Sequence, residues 1–288
     1  MIDREELLAR VRVLPTLPAT ATRLLMILGA AATSAAQIEE VIRKDPALTA
    51  NILRLANAAA FGRGAVISSI RQASTRLGLR RLGDLAIGLS VAAVVPAQLP
   101  GYGMSAGGFF LHCAATGVLA ERLDQARPQH AGELAFTAGL LHDAGKLVIG
   151  AYLAGAEEDV RAHLAPGGMP FVAAERALLG LDHAEAGALV ADRWNLPAAL
   201  ARVMRWHHTP AAAPPADDDG LLALVHVADG LAHSLGLGAD VGELARVLDP
   251  QALASLGLSA AAVETAASES LEEIDALAHA EPASGAPR

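Results

Sequence analysis

Residues 139–149 read GLLHDAGKLVI, an apolar run interrupted by an adjacent His-Asp pair, His142 and Asp143. Neighbouring side chains diverge by about 100° around a helix, so both can reach one metal only at a helix end or an irregular turn. Gly145, two residues on, is consistent with such a turn. A His-Asp dipeptide is a weak signal by itself, because chance supplies one in many chains of this size. The apolar flanks nevertheless place the pair at the border of a core.

Further residues of the types that bind metals are spread along the chain: His112, His183, His207, His208 and Asp229. Borderline metals such as Fe, Mn and Zn take imidazole and carboxylate ligands, and a dinuclear site needs more of them than one helix presents. The sequence therefore predicts a site for one or two divalent ions (Fe, Mn or Zn). Lysine occurs only at Lys44 and Lys146 in a chain rich in arginine, which draws attention to the lysine directly behind the His-Asp pair.

Helical periodicity dominates the sequence and period-two alternation is almost absent, which predicts an all-α protein. Asp45-Pro46 is a strong start signal for a helix that we expect to run to about Ala59, before Phe61–Gly64 breaks it. Gly78 is expected to end or interrupt the helix that begins at Ile70. The segment 100–108 is the clearest internal connector, and 211–220 reads as a linker or surface loop.

Each predicted metal ligand falls on or beside one of the expected helices of the second half. We expect His112 on a helix over Phe109–Leu123 and the His-Asp pair on one over Glu133–Leu153. His183 is expected at the entry of a helix that reaches Trp194. The last two predicted helices are a short one from Pro197 to His207-His208 and one over Leu221–Leu235 that carries Asp229. The stretch between Pro166-Gly167-Gly168 and Gly180 should add another helix, and the final EPASGAPR should be disordered.

Composition excludes several classes of protein. The chain has 288 residues, 53% of them apolar, and a net charge of −9, which is the sum of −11 in residues 212–288 and +2 in residues 1–211. Binding to duplex DNA is disfavoured because it needs a concentrated basic face, and we read the one basic cluster, between Arg63 and Arg81, as a solvated helix face. The single cysteine, Cys113, fits a core position in a reducing cytoplasm. We see no export signal and no membrane span.

The wider sequence resembles a known family. The ordered series of histidines and aspartates around GLLHDAGKLVI resembles the ligand order of HD-superfamily metal phosphohydrolases. Four further stretches resemble the narrower family of HDOD domains, whose name denotes an HD-related output domain: LPTLPATATRLL (14–25), IRKDPALTANILRLANAAAFG (42–62), ISSIRQASTRLGLRRLGDLAI (67–87) and LGLDHAEAGALVADRWNLP (179–197). The resemblance covers about Leu14 to Pro210.

The resemblance implies a fold, a division of the chain and a role for each ligand. It implies an N-terminal helical subdomain (1–98) packed on an HD-like metal-binding subdomain (99–212), followed by a helical extension with a disordered tail (213–288). Carried over residue by residue, it implies metal ligation by His112, His142, Asp143, His183, His207, His208 and Asp229, with Asp143 suited to bridge two ions. The alternative is a set of relic residues satisfied by hydrogen bonds in the core, for which five clustered imidazoles would need many partners.

Two departures from the family pattern bear on activity. No GYP sequence follows His207-His208, where the similar phosphodiesterases have it, and Gly108 stands where those enzymes can place a glutamate ligand. The resemblance and these departures favour a bacterial signal-transduction module that binds a signalling protein or a nucleotide and retains an HD-type metal site. The alternative is a metal-dependent phosphohydrolase acting on a nucleotide or cyclic dinucleotide, with Asp143 and Lys146 as catalytic residues. Lys146 would then neutralise a phosphate, although a helix-surface lysine is the other interpretation.

Overall fold

A computed structural model of the chain describes residues 17–30, 33–57, 66–93, 98–164, 170–216, 220–238 and 248–279. It confirms the all-α prediction: the only strands among these residues are a two-residue antiparallel pair, β1 (Gln98–Leu99) and β2 (Met104–Ser105). The contacts divide the chain into two compact units. One unit holds the described residues between 96 and 270, and the other holds those between 15 and 95 together with those from 271 onward.

The smaller unit is built on five consecutive helices: α1 (Ala19–Leu28), α2 (Ala35–Arg43), α3 (Pro46–Ala56), α4 (Ile70–Leu77) and α5 (Leu79–Ala92). Asp45 caps α3 through a hydrogen bond from Leu48 N, with Pro46 in the first turn, as the sequence predicts. Gly78 adopts φ +81° and separates α4 from α5. The basic cluster is not wholly solvated, because Arg81 is buried and pairs with Glu273.

The larger unit carries the remaining helices: α6 (Ala106–Gln125), α7 (Ala135–Leu141), α8 (Lys146–Leu153), α9 (Glu157–Leu164), α10 (Phe171–Leu179), α11 (His183–Arg193), α12 (Ala198–Trp206), α13 (Gly220–Ser234), α14 (Pro250–Ser255) and α15 (Ala260–His279), the last of which crosses into the smaller unit. Helix α6 begins at Ala106, earlier than the predicted Phe109, because the Ser105 side chain accepts a hydrogen bond from Gly108 N. The predicted connector 100–108 contains the turn after β1, strand β2 and the start of α6, and Tyr102 in that turn is fully buried.

The prediction of one helix over Glu133–Leu153 is wrong. Helix α7 ends at Leu141, four residues form a turn, and α8 begins at Lys146. The turn follows from Gly145, which packs so tightly against the backbone of His183 and Gly187 that no side chain fits there. The His-Asp pair therefore stands on an irregular turn between two buried helices.

Several sequence predictions lie outside the described residues. They are the break at Phe61–Gly64, the Pro166–Gly168 connector and the disordered EPASGAPR end, together with part of the 211–220 loop. Within the described residues, no helix combines the length and the apolar character that crossing a membrane requires.

Candidate metal centre

The structure brings all seven predicted ligands together in the larger unit. His112 comes from the middle of α6, His142 and Asp143 from the turn after α7, and His183 from the first residue of α11. His207 and His208 follow the end of α12, and Asp229 lies on α13. Their side-chain donors form two groups, each with atoms within 4.8 Å of one another: Asp143, His183, His207 and His208 in the first, and His112, His142 and Asp229 in the second.

Asp143 lies between the two groups and turns one carboxylate oxygen toward each. Its Oδ1 is 3.3 Å from His183 Nε2 and 3.6 Å from His207 Nε2. Its Oδ2 is 3.5 Å from His112 Nε2 and 3.4 Å from His142 Nε2. A carboxylate placed in this way suits a pair of neighbouring cations, because each oxygen belongs to a different donor set.

Asp229 and His208 complete the two groups. Asp229 Oδ1 lies 3.1 Å from His112 Nε2 and 3.6 Å from His142 Nε2. His208 Nε2 lies 2.7 Å from His183 Nε2, and its other nitrogen is 3.9 Å from Asp229 Oδ2. His208 is the most exposed ligand candidate, with 16% of its side chain accessible, whereas the other six are buried.

Each buried imidazole uses its Nδ1 for a protein contact and points its Nε2 into the centre. The Nδ1 atoms of His142 and His112 lie 2.6 Å from Gly139 O and 3.2 Å from Leu237 O. His207 Nδ1 contacts the carbonyls of α12, and His183 Nδ1 contacts the Glu175 carboxylate. Contacts of this kind fix the tautomer that offers Nε2 to a metal.

The inward-facing atoms fit a metal better than a protein hydrogen-bond network. Within the described part of the chain, no hydrogen-bond partner exists for the Nε2 atoms of His112, His142 and His207 or for Asp143 Oδ1. Orphaned buried polar atoms are costly and rare in folded proteins. Two ligands at about 2.1 Å from one ion stand roughly 3.0–3.4 Å apart at coordination angles of 90–109°. The nitrogen–oxygen separations here lie close to that range.

The electrostatics of the centre divide four of its five histidines into two pairs. Burial lowers the pKa of His142, but the Asp143 and Asp229 carboxylates outweigh it and raise the value to about 9. For His183, burial is likewise outweighed by Glu175 and Asp143, and its pKa also rises to about 9. Burial prevails for His112 and His207, whose pKa values fall to about 4. Against the effect of burial, His142 and Lys146 hold the pKa of Asp143 well below its usual range.

These shifts predict a stability maximum for the metal-free chain near pH 6.5. Raised pKa values at His142 and His183 contribute stability below pH 6.5 that is lost as the pH rises toward 9. Lowered values at His112 and His207 contribute stability above pH 6.5 that is lost as the pH falls toward 4. We expect urea unfolding of chelator-treated protein to show changes on the order of a few kcal/mol on each side. A flat profile between pH 6.5 and 9 would contradict this expectation.

Lys146 belongs to the centre and does not lie on a helix surface. Its side chain is fully buried, and Nζ lies 2.7 Å from Asp143 Oδ2. The helix-surface interpretation is therefore wrong. A buried ammonium requires a charged partner, and the bridging carboxylate is that partner.

Two residues that sequence reasoning missed hold His183. Glu175 Oε2 is 2.7 Å from His183 Nδ1 and accepts a further hydrogen bond from His183 N. The Tyr102 hydroxyl donates to Glu175 Oε1 at 2.6 Å. Glu175 had a detectable signal: it lies four residues after Phe171 and four before Leu179, on the apolar face of α10, where an unpaired carboxylate would be unfavourable.

His226 and His233, three residues before and four residues after Asp229 on α13, both contact the ligand set. His226 Nδ1 donates to His207 O at 2.6 Å, while its Nε2 accepts from Asp249 N at 2.8 Å. His233 Nε2 lies 3.4 Å from Asp229 Oδ1, and its ring centre is 4.4 Å from that of His112.

Comparison with known proteins agrees with this architecture. A family model of the HDOD domain matches residues 14–210. An uncharacterized protein of Treponema pallidum (strain Nichols) is 30% identical over 184 residues, a match that covers 62% of this chain and 34% of that protein. The chain thus spans about a third of the length of this curated relative.

Solved structures share the fold at lower identity. An HDOD domain protein of unknown function from Geobacter sulfurreducens superimposes with a TM-score of 0.75 at 23% identity, over 96% of this chain and 98% of that one. A candidate phosphohydrolase from Shewanella amazonensis gives 0.73 at 24% identity, over 95% and 97%. A candidate signal transduction protein from Marinobacter aquaeolei gives 0.74 at 21% identity, over 95% and 64%. At such identities the similarity establishes the fold.

Proposed function

This chain belongs to the HDOD domain family, and we propose that it serves bacterial signal transduction as a regulatory module that binds a partner and retains a two-metal centre. The partner would be a signalling protein or a nucleotide. The metals would be divalent ions such as Fe, Mn or Zn, which take the imidazole and carboxylate donors gathered here.

One observation carries the proposal: all seven ligand candidates lie together, and they are almost entirely closed off from solvent. His112, His142, Asp143, His183 and His207 have no accessible surface, and only the edge of His208 reaches solvent to any extent. Structural metal sites are closed by protein ligands, whereas catalytic sites keep a position open for water or substrate. The burial of the centre therefore supports a structural role, in which the metal ions stabilise the module and do not bind a substrate.

The experiment is a turnover assay on purified chain loaded with Zn²⁺, Mn²⁺ or Fe²⁺. The substrates would be nucleoside mono-, di- and triphosphates and cyclic dinucleotides, with His142→Ala as the matched variant. We expect no turnover above the variant with any of the three metals. Reproducible hydrolysis that depends on metal and disappears in His142→Ala would contradict the proposal.

That contrary result would support the second candidate, a phosphohydrolase. The observation in its favour is Asp143, whose two oxygens face separate donor groups beside the buried Lys146. Two divalent ions held by these groups would supply Lewis-acid polarisation of a phosphoryl oxygen and a lowered pKa of water. The chain's own contribution would be a cation, Lys146, near the phosphate.

A further inference from the structure

We propose that the two metal positions are unequal, and that Glu175, Tyr102 and Lys146 are the positioning residues that make them so. Position A is the donor group of Asp143 Oδ1, His183, His207 and His208. Position B is the donor group of Asp143 Oδ2, His112, His142 and Asp229. Position A binds its divalent ion more tightly and fills first. This inference rests on the proposed two-metal centre and adds an order of filling to it.

Position A has an anionic partner behind one of its ligands. Glu175 is buried, and its carboxylate contacts His183 Nδ1 at 2.7 and 2.9 Å. A carboxylate that accepts the Nδ1 proton of a metal-binding imidazole makes the opposite nitrogen a stronger donor and fixes the ring orientation. Such charge-assisted hydrogen bonds are roughly twice as strong as neutral ones. His183 is therefore the imidazole of the centre whose ring is best oriented and whose Nε2 is the strongest donor to a metal.

Tyr102 holds that carboxylate in place. Its hydroxyl donates to Glu175 Oε1 at 2.6 Å, and its fully buried ring packs 5.6 Å from that of Phe171, centre to centre. With the donors from His183 N and Nδ1, the glutamate is fixed on three sides. The turn between β1 and β2, which carries Tyr102, therefore helps the helices to fix the geometry of position A.

Position B includes a second carboxylate, Asp229, but among the described residues its histidines have no anionic partner equivalent to Glu175. The Nδ1 atoms of His112 and His142 contact the neutral backbone carbonyls of Leu237 and Gly139. A neutral carbonyl orients an imidazole but increases its donor strength less than a carboxylate does. The two histidines of this position are therefore oriented without being activated in the same way.

Lys146 is a second reason why position B should bind its ion less tightly than position A. Its Nζ lies 2.7 Å from Asp143 Oδ2, which is the oxygen turned toward His112 and His142. A buried ammonium there neutralises part of the charge offered to position B and repels a divalent ion at short range. Asp143 Oδ1, on the side of position A, instead faces the Nε2 atoms of His183 and His207. A metal ion at position B therefore competes with the Lys146 ammonium for Asp143 Oδ2.

The test is a calorimetric Zn²⁺ titration of the chelator-stripped full chain, for which we expect two resolved binding steps. Glu175→Gln should weaken the tighter step by about 10- to 100-fold and leave the weaker one unchanged. Tyr102→Phe should also weaken the tighter step, but by a smaller factor than Glu175→Gln. Lys146→Met should strengthen the weaker step by about tenfold or more.

Glu185→Gln is the matched control. It removes a carboxylate two residues from His183, but the Glu185 side chain is 30% exposed and pairs with Arg205, outside the centre. Both binding steps should be unchanged in this variant. Circular dichroism of each metal-loaded variant checks the fold, and Tyr102→Phe and Lys146→Met decide the matter if Glu175→Gln does not fold.

Three outcomes would overturn the inference. They are two equal affinities in the parent, a Glu175→Gln variant that weakens both steps equally, and a Lys146→Met variant whose weaker step does not tighten. A parent that binds none of Zn²⁺, Mn²⁺ and Fe²⁺ would instead remove the two-metal centre itself, and with it the proposed function. The two failures are therefore distinguishable.

Discussion

Asp143→Asn is expected to abolish tight binding of both metal ions, although it changes a single atom of the side chain. The carboxylate supplies one oxygen to each donor group, so the loss of its charge removes an anionic ligand from both at once. It also leaves Lys146 buried beside a neutral amide. Removing one partner of a buried ion pair costs about 3–5 kcal/mol, and most of that cost should appear as a lower free energy of unfolding.

Two measurements separate these effects. Zn²⁺ titration should show both affinities reduced by at least about 100-fold, since loss of a group that only orients a ligand already costs about 10- to 100-fold. Urea unfolding of the metal-free chain should show the stability loss independently. Asp192→Asn, on an exposed position of α11, is the control that changes neither quantity. Retention of one full-affinity ion in Asp143→Asn would show that the carboxylate does not serve both positions.

Gly145→Ala is expected to be the most damaging substitution outside the ligand set. A methyl group at this position would overlap the carbonyl oxygen of His183 and lie 2.5 Å from Gly187 N. Both obstacles are backbone atoms of α11, so neither can rotate away. Overpacking costs about 1–3 kcal/mol when side chains can adjust, and here we expect about 3 kcal/mol or more.

The same substitution should also displace metal, because relief of the overlap moves His183 away from the turn that carries His142 and Asp143. Thermal unfolding and Zn²⁺ titration of Gly145→Ala would measure both effects. Gly108→Ala is the matched control: its added methyl meets only Ser105 Oγ at 3.4 Å, and alanine is favourable within a helix. Equal stability of the two variants would contradict the close approach of the turn and α11.

The sequence predicted those features that local chemistry determines. Helical periodicity gave the fold class, Asp45-Pro46 gave the start of α3, and Gly145 indicated an irregular turn at the His-Asp pair. It did not predict that this turn divides one expected helix into two. That division depends on how closely α11 approaches, which no pattern within residues 133–153 reveals.

The pairing of the residues that support the ligands could not be predicted from the sequence, for the same physical reason. Tyr102 and Glu175 are 73 residues apart and meet only because of helix packing. Lys146 looked like a surface residue because a lysine on an isolated helix prefers water, and only the placement of Asp143 explains its burial. Residue types could indicate which side chains are candidate metal ligands, but not which groups would orient them.

The most direct test of the two-metal centre is the metal content of the full chain purified without chelator, measured by elemental analysis beside His142→Ala and Asp143→Ala. We predict about two divalent ions per chain in the parent and a clear loss in both variants. A parent chain that carries no metal, and takes up none when Fe²⁺, Mn²⁺ or Zn²⁺ is supplied, would contradict the account.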